Sequence, residues 1–103
     1  MTYDQIQECF ELHKDDYHSY EYDVNNLMHK SRRRDLQAAM MLSDVDPNKT
    51  QCAIDGTSHD TIHFAVTVEE LAVADVSEDF VLCLIHCGVH RDDADPEYLS
   101  MFV

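Results

Sequence analysis

Only two glycines and two prolines occur among 103 residues, and tryptophan is missing. Gly56 and Gly88 stand alone, so no Gly-rich phosphate loop and no Gly-x-Ser-x-Gly elbow can be built. No apolar run approaches the roughly eighteen residues of a transmembrane helix. The opening Met1-Thr-Tyr-Asp-Gln5 lacks the basic-then-apolar form of a signal peptide. A cytoplasmic protein is therefore expected, in the host cytoplasm if viral. There the four cysteines should stay as thiols.

Cations are scarce as well. Seven Lys and Arg face 21 Asp and Glu, giving a formal charge of −14. Solubility of a small domain needs only about 2 to 8 units of net charge. The excess costs stability through self-repulsion. Such a surface disfavours nucleic acid and anionic membrane as partners and favours a basic protein. The charge is also uneven. Residues 1–29 hold seven acids against Lys14. Residues 55–103 hold eleven against Arg91, while Lys30, Arg32, Arg33 and Arg34 form one basic knot. That knot reads either as a nucleic-acid patch or as an internal partner for the chain's own acids.

What the chain does have is periodicity. Ile6, Phe10, His13, Tyr17, Tyr20, Val24 and Leu27 are spaced alternately by four and three, the repeat of a helix burying one narrow stripe. Thr2 and Gln5 have capping-box spacing. The expectation is a long helix from about Tyr3 to His29, roughly 32 Å from Ile6 to Leu27. After a kink or turn near Ser31, a second helix should reach about Leu42. Asp44 to Pro47 then reads as a stop.

The stretch from Gln51 to Ile54 is a short, mixed strand candidate, followed by Asp55-Gly56 as a turn pair. Thr61 to Val68 alternates as a strand, with Ile62, Phe64, Val66 and Val68 on one face. Thr67 and Glu70 repeat the capping-box spacing and open a short helix to about Asp75. Ser77 starts another before the apolar run 80–87, ended by Gly88, although that run reads equally as a buried strand. Asp95-Pro96-Glu97 predicts a last short helix through Met101.

Cys83, His86, Cys87 and His90 carry zinc-ligand chemistry. On one helix Cys83, Cys87 and His90 share a face, but four ligands along one helix cannot converge on one ion. The expectation is no metal and no cofactor, with Cys83 and Cys87 as small core residues and His86 and His90 on a polar face. His13 on the seam, one turn from Cys9, reads as a core histidine or a pH-sensitive contact. Acid pairs such as Asp15-Asp16 and Asp92-Asp93 are too common here to mark general acids, so no enzyme activity is expected.

The carboxylates remain. Asp4, Glu8, Glu11 and Asp15 form a second stripe beside the apolar seam. Glu69, Glu70, Asp75, Glu78 and Asp79 form a second field, and Asp92, Asp93, Asp95 and Glu97 a third. A helix with an acid every three or four residues places one about every 5 to 6 Å. Duplex DNA presents one charge per roughly 1.7 Å of axis. Several such rows together could imitate a phosphate ribbon and occupy the channel of a basic enzyme. The plain alternative is an acidic, functionally neutral face, as in a salt-adapted protein.

In size and charge the chain resembles the small acidic phage proteins that block host defences by imitating DNA, the anti-restriction and anti-CRISPR inhibitors. That resemblance implies an inhibitor of a nucleic-acid-binding protein and, since those proteins have many folds, no particular architecture.

The expectation is one domain over 1–103 of class α+β, with the long N-terminal helix packed on a small hairpin and short C-terminal helices. An all-α bundle is the alternative. The expected function is non-enzymatic occlusion of a partner's basic nucleic-acid-binding surface by a monomer or homodimer. The alternatives are a Cys/His metal-binding interaction module and an acidic adaptor dimerising through the N-terminal helix.

Overall fold

Three helix starts are fixed by side chains within the first turn. Thr2 caps α1 (Tyr3–Leu12), and Thr67 caps α3 (Val68–Val73). Each forms a reciprocal capping box, with Gln5 and Glu70 respectively. Ser77 caps α4 (Glu78–Cys87), accepting from the Phe80 backbone N–H. Gly88 ends α4 at φ 103°, a left-handed position that a Cβ would strain. The run 80–87 is therefore helical, and it buries Val81, Cys83, Leu84 and Ile85.

The computed structural model describes residues 1–16, 34–48, 54–58 and 60–102. Within them lie four helices and one antiparallel sheet of four strands, so the class is α+β and the all-α alternative is overturned. The remaining elements are α2 (Arg34–Val45), β1 (Ile54–Ser58), β2 (Thr61–Thr67), β3 (Val89–Arg91) and β4 (Tyr98–Phe102). The sheet order is β1-β2-β4-β3. Helices α1 and α2 both pack against α4, α1 also packs against α3, and α2 also packs against β2.

The alternation expected over 61–68 is present as far as Thr67, with Phe64 and Val66 of β2 buried, while Val68, also buried, opens α3 instead of ending the strand. The register sets Ile62 opposite Met101 and Met101 opposite Val89, an inward row across three strands. Leu99 joins them in the core with Ile6 and Phe10 of α1 and Leu42 of α2. The next row, His63, Ser100 and His90, lies on the other face of the same strands.

Four local expectations are corrected. The first helix does not run on to His29: it ends at Leu12, with His13 as its C-cap at φ −111°, ψ 17°. Its last turn holds no cation to offset the macrodipole. A competing turn forms instead, with the Asp16 N–H donating to the His13 carbonyl at 2.9 Å and the Asp16 carboxylate 2.7 Å from His13 Nδ1. Seam residues Tyr17, Tyr20, Val24 and Leu27 lie outside the described residues, as do Lys30, Arg32 and Arg33. Arg34 opens α2.

Asp55-Gly56 is not the hairpin turn. The register slips between Ile54 and Gly56, making a bulge inside β1, while Ser58 pairs with Thr61 and the reversal lies between those two. The hairpin is also not alone, being half of a four-stranded sheet. Last, Asp95-Pro96-Glu97 starts no helix. Asp95 accepts the Glu97 N–H on its side chain and the Tyr98 N–H on its carbonyl, a turn leading into β4. The same Asx chemistry serves helix caps and turns. Here β4 is an inner strand and pairs on both edges, which decides the outcome.

Candidate functional site

Helix α1 presents Asp4, Glu8 and Glu11 to solvent from the side opposite its buried Ile6, Cys9 and Phe10. Asp15, the fourth expected member of this row, is exposed but lies beyond the helix end. Contacts from α1 reach both other acidic fields. The Met1 amine binds the Asp75 carboxylate at 2.9 Å and the Val76 carbonyl at 2.8 Å. That contact holds the Asp75 carboxyl below its ordinary range. Asp75 adopts φ 51°, a left-handed position that Asp tolerates better than most side chains.

Cys9 is buried, and burial first, then the nearby Glu78 charge, pushes its thiol up. On another flank the Tyr3 hydroxyl donates to Glu97, which raises the phenol's pKa. The other Glu97 oxygen accepts the Glu69 backbone N–H at 2.9 Å at the start of α3. Three acidic stretches far apart in sequence thus meet around one short helix.

Ten of the thirteen expected carboxylates are exposed, and Glu70, Asp92 and Glu97 are half-buried. These three have internal work. Glu70 closes the α3 capping box, accepting the Thr67 N–H at 3.0 Å. Glu97 ties α1 to α3. Asp92 accepts from the Ser100 hydroxyl at 2.7 Å and from the Ala94 N–H at 2.8 Å, and these bonds lower its pKa.

Asp92 also belongs to a cluster that the sequence did not reveal. His63 Nδ1 lies 3.1 Å from Ser100 Oγ and 3.2 Å from Asp92 Oδ2. Ser, His and Asp together suggest nucleophilic catalysis, but the order of contacts differs. A catalytic serine gives its proton to the imidazole nitrogen remote from the carboxylate. Here Ser100 donates directly to Asp92, both face the same His63 nitrogen, and Ser100 is 1% exposed. The arrangement clamps the 92–97 loop to the sheet and does not activate the hydroxyl. No sequence signal pointed to it, because Ser100 and His63 become neighbours only through the β2-β4 register.

Cys83 and Cys87 are buried on α4 as core residues, both free thiols, with a hydrogen bond between them. That bond and burial push the Cys87 thiol far up, so it stays protonated. His90 is not on the helix with them but on β3, and His86 is buried rather than on a polar face. His90 leaves the helix because α4 ends at Gly88 and the chain passes directly into β3. Among the described residues no three His, Cys, Asp or Glu side chains are grouped as metal ligands. No helix among them is long and apolar enough to cross a membrane.

Comparisons with known protein families, with curated proteins and with solved structures gave no match.

Proposed function

We propose that this chain is an acidic, non-enzymatic binding protein that occupies the basic nucleic-acid-binding surface of a partner, as anti-restriction and anti-CRISPR inhibitors do. The observation that carries this reading is the meeting of three acidic stretches around α1: Asp75 and Glu78 on one flank, Glu69 and Glu97 on the other, and Asp4, Glu8 and Glu11 along the helix. Charges gathered around one helix raise the local potential more than the same charges scattered, and steer a basic partner from a distance. Exposed members Asp15, Asp79, Asp93 and Asp95 extend the field. The wiring of Ser100, His63 and Asp92 as a structural clamp supports the non-enzymatic reading.

The test is kinetic. The partner is captured at low salt on the immobilised chain, identified, and its association measured with wild type and with the Glu8→Lys, Glu11→Lys double variant. Reversal removes four units of negative charge from exposed positions. Association should slow by about tenfold or more at low ionic strength, and the difference should shrink as salt rises. Equal association rates for the two proteins at every salt concentration would defeat the proposal.

A further inference from the structure

Strand β3 lies at the end of the sheet order β1-β2-β4-β3. One of its sides pairs with β4, and no strand among the described residues pairs with the other. An unpaired edge offers backbone N–H and C=O groups to any extended chain that comes alongside. A cavity of about 1040 Å³ opens at this edge, bounded also by the end of α1, the start of α2 and the end of α4. Gly88, Val89, His90 and Arg91 all line it. Side chains of a strand alternate between its two faces, so a cavity against one face would touch every second residue. Four consecutive residues place this cavity along the edge instead.

The apolar floor is closed. Phe10, Ile85, Val89 and Met101 line it but are each at most 3% exposed. Phe102 is different: it is 68% exposed and stacks on His90 with ring centroids 4.8 Å apart. The cavity therefore offers little to a small apolar ligand and more to a chain lying along β3 beside Phe102.

Four carboxylates line the same cavity, Glu11, Asp15, Asp35 and Asp93, against three cations. The cations are engaged within the chain. Lys14 lies 3.4 Å from Glu11, and Arg91 gives its Nε–H to the Pro96 carbonyl at 2.9 Å. Arg34 and the half-buried Asp35 each have internal contacts as well. Asp15 and Asp93 are exposed. What approaches this edge thus meets two solvent-facing carboxylates in a chain of formal charge −14. A second copy of the chain would bring the same charge and be repelled.

We propose that the β3 edge binds an extended, basic segment of a partner protein by strand addition, its backbone pairing with β3 and its lysine or arginine side chains meeting Asp15 and Asp93. A three-residue edge presents few backbone groups, so the charges supply much of the affinity. The site is read from its own edge and lining, and it stands or falls separately from the function proposed for the α1 face.

Short capped peptides test this without the partner. One alternates lysine with valine, a second replaces lysine by glutamate, and a third is the lysine peptide fully N-methylated, which keeps every side chain but has no backbone donor. The intact chain should bind the lysine peptide saturably and neither of the others, and hydrogen exchange should slow at the backbone amides of β3. Asp15→Asn with Asp93→Asn should weaken the lysine peptide by about threefold to tenfold at low salt, as expected for exposed charge pairs, and by less at high salt. No binding of the lysine peptide, equal binding of either counterpart, or protection confined to residues outside β3 would overturn the proposal.

Discussion

Phe10 is 3% exposed, a core residue of α1, the helix that packs against α3 and α4. Phe10→Ala should destabilise the fold by about 3 to 5 kcal/mol, read as a lower denaturation midpoint at unchanged slope. A change under about 1 kcal/mol would mean that the α1 stripe is not core. Asp92 makes a different kind of prediction. Its folded pKa is depressed, chiefly by the Ser100 hydroxyl and then by the loop N–H groups. A depressed carboxylate stabilises above its unfolded pKa, about 3.9, and that contribution is lost as pH falls through the folded value. Asp92→Asn should therefore flatten the fall of stability below about pH 4, and should also lower stability at neutral pH. Unchanged acid unfolding would show that the 92–97 clamp contributes nothing.

Helix starts were the most legible elements. Thr2, Thr67 and Ser77 each announce a helix through chemistry contained within four residues, so no distant contact is needed to read them. Ser77→Ala should cost about 1 kcal/mol, measured by thermal denaturation, because it frees the Phe80 N–H at the entrance to α4. Ends and pairings were less legible. The four-three spacing from Ile6 to Leu27 looks continuous, but periodicity records which residues prefer burial, not whether the backbone stays helical. The turn at His13 is set by Asp16 and by the unfavourable charge at the helix end. The stretch 98–102 was misread for a related reason. Asp95 can cap a helix or close a turn, and only the two neighbouring strands select the turn.

The candidate sites divide the same way. The acidic rows are legible because exposure is the default for carboxylates, and ten of thirteen are exposed. The fold role of Glu70 was legible from its capping-box spacing to Thr67, but those of Asp92 and Glu97 were not, since Ser100, Tyr3 and Glu69 meet them only in the folded chain.

At the scale of the whole molecule the account rests on charge. A formal −14 spread over 103 residues should make the fold more stable as salt is added, because screening relieves self-repulsion. The same screening should weaken partner binding, so stability and affinity should move in opposite directions along one salt series. Melting temperature and affinity falling together would point to a fold held by ion pairs instead. The most direct test of the central claim is a competition on the isolated partner. Labelled nucleic acid is bound first, this chain is titrated in, and the release of label is followed with the composition of the complex. Occlusion predicts stoichiometric release, with a midpoint that rises in proportion to competing nucleic acid. A stable ternary complex of chain, partner and undisplaced nucleic acid would contradict it.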